Sequence, residues 1–331
     1  MTESPEPQKR PRPFRKWTGR LCIFALLVVI GVTVWFRLTA DENPYATLLL
    51  FGPRWVALVP VAALALLSVL ALSLRGLLCC LFMAGIIAGP FMGYVPPSFV
   101  PQHSDPGSFR LMTFNADNKA VNKADFLQFL ESNTPAVVAL QDANPVSVLD
   151  FPTGWQIVPG GNGIQLASKY PVKLLGQLSD PKIGTARGAA KYLVSLPSGD
   201  QTIVVVHLPT PRHGLEAVLS RKPDAMQTLQ GIITQRNAAS RVVRDWIGTE
   251  DKVIMCGDFN LPVESTIYQR DWSGFRNAFA TAGEGWGYTM FSKQGAVRID
   301  HVLCNARVIQ NAVVGPDLGS AHRPVIVDFG P

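Results

Sequence analysis

The sequence predicts a strand-rich α/β sandwich preceded by a module of three membrane-spanning helices. Of its 331 residues 47% are hydrophobic and only 16% charged, and the mean hydropathy of +0.18 is too high for a soluble protein of this size. The apolar excess is confined to residues 21–94. After about residue 109 the pattern changes to short Val- and Ile-rich runs bounded by Gly, Pro, Asn or Asp, which is typical of buried strands. The chain is therefore not a single soluble enzyme.

The N-terminal third predicts a basic cytoplasmic tail (1–20) and a helical membrane module (21–94). Three apolar stretches, at about 21–36, 55–74 and 77–94, approach the roughly 20 residues that a spanning helix needs. Six Lys and Arg residues precede the first stretch and Arg75 separates the last two, so both basic segments are expected inside. Everything after Tyr94 is then extracytoplasmic. Cleavage of the first stretch as a signal peptide would preserve this outcome, whereas a re-entrant last stretch would leave the C-terminal domain in the cytoplasm.

A Pro-rich linker (95–108) leads to the predicted globular domain (109–331). Helical patterns occur at Lys123–Ser132 and Gln227–Ile247. In the second helix Arg236, Arg241 and Arg244 are expected on a solvated face. The five cysteines lie in apolar runs and are expected to be free, small hydrophobic residues. Predicted strands cover Val137–Leu140, Ile203–Val206, Val253–Met255, Ile299–Leu303 and Val325–Val327.

The positive charge belongs to the membrane module. Residues 1–100 hold nine Lys and Arg against four Asp and Glu, a net +5, whereas residues 101–331 hold 21 against 20, a net +1. The globular domain therefore lacks the diffuse positive field expected of a protein that binds long nucleic acids. Nucleic acid is a less favoured partner than a phosphorylated small molecule or lipid.

Polar side chains follow the predicted strands, where the chain leaves the sheet. They are Asn115, Asp142, His207, Asp258, Asn260, Asp300 and His322. Strand ends place such groups on one rim of a sheet. Clustering so many acceptors and imidazoles there is costly unless a cation and a polar substrate occupy the space between them. His301 should point to the opposite side from Asp300, and His103 and His213 are given no role.

Six motifs between Phe109 and Phe329 make the domain resemble the endonuclease/exonuclease/phosphatase superfamily, which includes DNase I, as a membrane-anchored bacterial member. The motifs are LMTFNADN, VVALQDAN, VVVHLP, VIMCGDFN, RIDHVL and GSAHRPVIVDF. The resemblance implies a four-layer α/β/β/α sandwich of DNase I type. It also implies hydrolysis of a phosphate ester with the help of Mg²⁺ or Mn²⁺.

The same resemblance implies individual roles. Asn115 and Asp142 would hold the metal, and Asp258 would orient the attacking water. His207, Asn260 and His322 would contact the phosphate or move protons, with Asp300 fixing the tautomer of His322. Two substrate-binding residues complete the set: Arg187, by position in the family pattern, and Trp286, in a Gly-rich loop just before RIDH.

Two residues depart from the family pattern. Asp142 stands where Glu is usual, which shortens the side chain by one methylene, and Ala321 stands where the family commonly has a metal-side Asp. We expect weakened or altered metal affinity. The predicted function is a divalent-metal-dependent phosphodiesterase or phosphatase of the inner (cytoplasmic) membrane, acting at its outer face on a phosphate ester or pyrophosphate, with a lipid-linked substrate as the natural hypothesis. The alternatives are a surface metal-dependent nuclease and a catalytically weakened module that binds a phosphorylated ligand.

Overall fold

The computed structural model describes residues 13–97, 107–117, 121–143, 149–180, 188–249, 252–293 and 295–331. They fall into two compact units. The helical unit comprises the described residues up to Leu38 together with Arg54–Met92, and the sandwich unit comprises Thr39–Pro53 together with Gly93–Pro331. The sandwich unit thus includes a segment from inside the predicted membrane module. We call Thr39–Pro53 the connecting segment.

The N-terminal helices are α1 (Pro13–Thr39), α2 (Pro44–Phe51), α3 (Leu58–Leu70) and α4 (Leu74–Ile86), of which α2 lies in the connecting segment. A 3₁₀ turn (Arg54–Ala57) precedes α3, and a π-helical turn (Ile87–Phe91) continues α4. Pro13–Thr39 and Leu74–Phe91 are long and apolar enough to cross a membrane. A third candidate is the pair Pro44–Phe51 and Arg54–Leu70, bent by 96°. The predicted spans therefore correspond to two or three apolar helices.

The described residues of the sandwich unit form two six-stranded mixed sheets, a two-stranded hairpin (β10–β11) and five further helices. The first sheet has the order β13-β14-β1-β2-β4-β3 and the second β5-β6-β7-β8-β12-β9. Each has one central parallel pair, β1 with β2 and β7 with β8. The strands are β1 (Phe109–Asn115), β2 (Val137–Gln141), β3 (Gln156–Gly161), β4 (Ile164–Ser168), β5 (Val172–Leu178), β6 (Gly188–Leu196), β7 (Gly199–His207), β8 (Val253–Asp258), β9 (Arg276–Asn277), β10 (Met290–Ser292), β11 (Gly295–Val297), β12 (Asp300–Cys304), β13 (Ile309–Val314) and β14 (Val325–Phe329). The helices are α5 (Lys123–Asn133), α6 (Arg212–Leu219), α7 (Ala225–Ile247), α8 (Thr266–Asp271) and α9 (Ala278–Ala282).

Alternation along the central strands separates three apolar cores. Leu111 and Val205 belong to the core that joins the two sheets. Their neighbours point the other way, so that Met112 packs with α5 and Val204 packs with α7. The result is a layered sandwich with helices outside both sheets. Because helices cover the outer faces, the central strands are buried on both sides, which explains their continuous apolar sequence. The predicted strands and both predicted helices are confirmed. The five cysteines are free, as expected.

Candidate active site

Strand register brings the predicted residues of the second sheet into one row. His207 pairs with Asp258 across the parallel β7 and β8, and Asp258 pairs with Asp300 across the antiparallel β8 and β12. Asn115 occupies the corresponding end of β1 in the first sheet, paired with Gln141. All four side chains are buried. The strand ends therefore meet at one edge of the sandwich.

Backbone conformation at this edge is unusual. Asp117, Asp142 and Asn260 have φ angles of +52°, +46° and +51°, in the left-handed region that Asp and Asn tolerate better than other side-chain-bearing residues. Gly257 has φ +134°, and a Cβ atom there would collide with the backbone oxygen of Val206. The glycine of the GDFN motif therefore allows β8 to approach β7 closely. Such conformations cluster at functional sites.

Asp258 is the centre of a buried hydrogen-bond network. Its Oδ2 accepts hydrogen bonds from Asn115 Nδ2 (2.9 Å) and Asn260 Nδ2 (3.0 Å), and its Oδ1 accepts one from the Asn260 backbone N–H (2.8 Å). The Asn260 amide also donates to the Leu208 carbonyl (2.9 Å). Both carboxylate oxygens are thereby oriented by neutral donors.

Imidazoles alternate with carboxyl groups along the site. His207 lies between Asp142 (Nδ1 to Oδ1, 3.7 Å) and Asp258 (Nε2 to Oδ2, 3.6 Å). His322 lies between the same Asp258 oxygen (Nε2, 3.9 Å) and Asp300 (Nδ1 to Oδ2, 2.9 Å). Three carboxyl groups and two imidazoles thus form one continuous chain. Even with both imidazoles protonated, ionised carboxylates would leave an excess of negative charge.

The Asp300–His322 pair has the geometry of an imidazole held by a carboxylate. Burial opposes protonation of His322, but the adjacent Asp300 carboxylate, which also accepts its hydrogen bond, and the nearby Asp258 and Asp117 outweigh that effect. Together they raise the pKa of His322 to about 9. At neutral pH the ring is therefore a cation, with Nδ1–H donating to Asp300 and Nε2–H directed toward Asp258.

The donor set fits a hard divalent cation. One candidate ligand atom from each of Asp258, Asp300 and His322 lies within 4.8 Å of the others. Asp300 Oδ1 is buried and, in the part of the chain that the structure describes, receives no hydrogen bond. An oxygen of this kind needs a cation or a donor to compensate its lost hydration. Carboxylate oxygens are the ligands that Mg²⁺ and Mn²⁺ prefer.

The two residues expected to hold the metal have other neighbours. The side-chain oxygen of Asn115 accepts the Asp117 backbone N–H (2.8 Å) while its amide nitrogen donates to Asp258. Asp142 lies beside His207, outside the Asp258–Asp300–His322 group. The backbone carbonyl of Ala321 accepts a hydrogen bond from Phe291 (2.9 Å). Ala321 thus joins the loop between β13 and β14 (315–324), here called the His322 loop, to the β10–β11 hairpin without adding a carboxylate.

Three supporting residues were missed by sequence reasoning. The Thr289 hydroxyl accepts the backbone N–H groups of Ile299 and Asp300 (both 3.1 Å). The Ser320 hydroxyl donates to the Asn115 carbonyl (2.7 Å) and accepts the His322 N–H (3.0 Å), which connects the His322 loop to the first sheet. Asp117, the third, helps to raise the pKa of His322. Its position two residues after the strand-end Asn115 was the sequence signal that could have identified it.

One sequence expectation is wrong. Arg236 is not on a solvated face: it is buried, with a relative exposure of 2%, and forms an ion pair with Asp41 (2.6 Å). Arg241 is exposed and Arg244 is half-buried. The periodicity of α7 cannot reveal this difference, because the partner of Arg236 comes from the connecting segment 195 residues away. A buried guanidinium needs such a partner.

The remaining predicted positions are the substrate-binding pair, Trp286 and Arg187, and the histidines that were given no role in the site. Trp286 is half-buried and packs against Tyr94 and Tyr288, with ring centroids 4.9 and 6.1 Å away. His301 points away from the site, as expected: Nε2 donates to the Leu261 carbonyl at 2.7 Å. His213 has an exposed side chain. Arg187 and His103 lie outside the described residues.

Comparison with known proteins identifies related sequences and folds. Residues 112–322 match the family described as Endonuclease/Exonuclease/phosphatase family. The chain is similar to a humanized D. rerio TDP2 carrying 14 mutations and to D. rerio TDP2 complexed with a single-strand DNA product, each at 17% identity, covering 68% of this chain and 100% of that one, with TM-score 0.53. A truncated Caenorhabditis elegans TDP2 is 16% identical, with 68% and 98% covered and TM-score 0.51. No curated protein sequence matches. At these identities the structural likeness shows a DNase I-like fold.

Proposed function

The chain belongs to the endonuclease/exonuclease/phosphatase family and is a hydrolase acting on phosphoester bonds. We propose that it cleaves a lipid-linked phosphate ester or pyrophosphate at the outer face of a membrane with the help of a divalent cation. The observation that carries the catalytic part is the row of His207, Asp258 and Asp300 on adjacent strands, completed by His322. The location rests on the apolar helices and on the connecting segment.

Asp258 is the residue we assign to the attacking water. Asn115 and Asn260 fix its carboxylate by hydrogen bonds, so that it can accept a proton without reorienting. Water then forms the new bond to phosphorus as the bond to the leaving oxygen breaks. His207, adjacent to Asp258, supplies a proton to that oxygen. The cationic His322 stabilises the negative charge that develops on the phosphoryl oxygens.

The cofactor we propose is Mg²⁺ or Mn²⁺. The carboxylates of Asp258 and Asp300 would hold it beside the protonated His322, with Asp142 as a further carboxylate nearby. Such an ion polarises a phosphoryl oxygen and neutralises charge during displacement. Asn115 is assigned to orientation of Asp258 because both ends of its amide are hydrogen-bonded to protein groups.

The membrane orientation is supported by the composition of the sandwich unit. Thr39–Pro53 and Gly93–Pro331 form one compact unit, so they lie on the same side of the membrane. The intervening Arg54–Met92 must then cross an even number of times or not at all. If α3 crossed the membrane and α4 were re-entrant, Asp41 and Arg236 would lie on opposite sides of it. Their buried ion pair excludes that arrangement. With a cytoplasmic basic tail and one crossing by α1, the site faces outward.

The substrate class follows from location and charge. At the outer face of the membrane that the apolar helices would cross, phosphorylated lipids present their esters to an enzyme on that side. The solved complex of D. rerio TDP2 with a single-strand DNA product makes a nucleic-acid substrate the second candidate. Against it stands the net charge of +1 from residue 101 onward, because nucleic acid binding depends on neutralising many phosphates.

The experiment uses the full chain in lipid nanodiscs. Phosphate release from a lipid pyrophosphate is measured directly with Mg²⁺ or Mn²⁺. A phospholipid and single-stranded DNA are assayed with phosphatase added, because cleavage of a diester frees no inorganic phosphate. We expect turnover of a lipid substrate, and a loss of at least about 100-fold in Asp258→Asn and His322→Ala. His213→Ala is the matched control because that imidazole is exposed. Turnover of DNA alone, or equal activity in all variants, would contradict the proposal.

A further inference from the structure

Arg236 connects the two loops that follow β7 and β8, the strands that end at His207 and Asp258. Its Nη2 donates to the Asn260 carbonyl at 2.6 Å, and its Nε donates to the Pro209 carbonyl at 3.3 Å. Pro209 lies two residues after His207, and Asn260 lies two residues after Asp258. One guanidinium group therefore binds a backbone carbonyl in each of the two loops. Asn260 has a left-handed backbone, so its conformation depends on such external contacts.

The connecting segment supplies the partner of Arg236. Asp41 is completely buried, and its Oδ1 accepts from Arg236 Nη1 at 2.6 Å. Its other oxygen accepts from the hydroxyl of Ser265, the N-cap residue of α8. The ring of Phe51 lies 5.3 Å from the Arg236 guanidinium carbon. Backbone contacts anchor the same segment, since Asn237 Nδ2 donates to the Asp41 carbonyl at 3.2 Å.

Stability alone does not explain a buried ion pair. Desolvation of two charges offsets much of their attraction, and well-packed apolar residues often stabilise a protein equally. Removing one partner, in contrast, leaves an uncompensated buried charge. What apolar residues could not reproduce here is the pair of hydrogen bonds from Arg236 to Asn260 and Pro209. Arginine suits this position because its planar group carries five donors in a fixed geometry.

We infer that Asp41 and Arg236 are positioning residues, through which the connecting segment holds Asn260 and the loop after His207 in their catalytic arrangement. Asp41 fixes and neutralises the guanidinium, and the guanidinium fixes the two carbonyls. The catalytic unit is then incomplete without a segment that lies between two apolar helices in the sequence. The inference rests on the proposed role of Asn260 in orienting the Asp258 carboxylate during reaction.

The test compares variants of the full chain in nanodiscs. Asp41→Leu combined with Arg236→Met removes both charges and should restore much of the thermal stability lost in Asp41→Leu alone. The double variant should nevertheless show kcat reduced about 10- to 100-fold with KM nearly unchanged, because a displaced Asn260 affects the transition state more than substrate binding. Arg236→Lys should lose kcat similarly, since an ammonium lacks the fork geometry. A double variant with the kcat of the wild type would overturn the inference.

Hydrogen exchange provides a readout independent of activity. The backbone N–H of Asn260 donates to Asp258, and that of Leu208 donates to the Asp258 carbonyl at 3.0 Å. Both amides should exchange faster in the double variant. Asp328→Asn, which removes the half-buried ion pair with Arg110 in the first sheet, is the matched control and should leave them unchanged.

The two proposals fail separately. Faster exchange in the double variant, combined with a wild type that hydrolyses no phosphoester, would support the positioning contacts and contradict the proposed substrate class. Unchanged exchange at Leu208 and Asn260, in a folded double variant, would contradict the inference whatever the enzyme hydrolyses.

Discussion

Replacing His301 with glutamine is expected to remove a pH-dependent loss of stability. His301 is buried beside Asp300, between the rings of Phe259 and Tyr268, at 5.7 and 5.2 Å. Its Nε2 donates to the Leu261 carbonyl, and its Nδ1 accepts from Asn277 at 3.2 Å. The structure therefore requires the neutral ring. Glutamine offers one donor and one acceptor but does not titrate.

The magnitude follows from the pKa of His301, which burial lowers from 6.5 to about 4. As pH falls below 6.5, His301 binds a proton in the unfolded chain but not in the folded chain, so the free energy of unfolding decreases. The decrease continues until pH reaches about 4, where the folded protein is also protonated. At about 1.4 kcal/mol per pH unit, the loss between pH 7.5 and 5.0 is about 2 kcal/mol.

Denaturant unfolding at these two pH values measures the effect, using a probe in the sandwich unit. Subtracting the change in His301→Gln from that in the wild type isolates this one group, because all other titrating groups are common to both. His213→Gln, at an exposed position, should show the wild-type dependence. Equal loss of stability in the wild type and His301→Gln would refute the argument that burial keeps the ring neutral.

Three further outcomes are expected. Gly257→Ala should cost about 3 kcal/mol or more in thermal unfolding because its Cβ has no room, whereas Gly274→Ala, with no atom within 4 Å of a Cβ, should cost little. Asp300→Asn should move the alkaline limb of the pH–rate profile to lower pH, because the imidazolium of His322 that is active at lower pH loses the carboxylate that raises its pKa. An unmoved limb would assign the limb to another group. Chelation with EDTA should abolish phosphate release, and added Mn²⁺ should restore it. Asp142→Ala should need more Mn²⁺ than the wild type, because a carboxylate near the metal is lost.

The contacts of Ala321 and Asp142, the two residues that depart from the family pattern, indicate the effects of these changes. The Ala321 carbonyl accepts a hydrogen bond from Phe291 in the β10–β11 hairpin. The Arg323 N–H donates to the carbonyl of Thr289, the residue before that hairpin (2.6 Å). This pairing holds the His322 loop in place without a carboxylate at position 321. Asp142, shorter than glutamate, lies beside His207 at 3.7 Å. The chain thus retains the acid–imidazole alternation with one carboxylate fewer.

The sequence by itself determined the strands, the order of the site residues along the chain and the family. These are local or ordered signals: apolar runs identify buried strands, and motifs such as GDFN and RIDH keep their order whatever the register. The sequence also predicted that Asp300 and His301 point to opposite sides, because side chains alternate along a strand.

Only the tertiary structure decided how these residues meet. The row of His207, Asp258 and Asp300 depends on the register of three strands, and register is set by long-range pairing. The burial of Arg236 depends on Asp41, 195 residues away, within a segment that hydropathy alone assigns to the membrane module. Local periodicity cannot predict such a partner, since the free energy that buries a charged side chain comes from contacts made after the chain has folded.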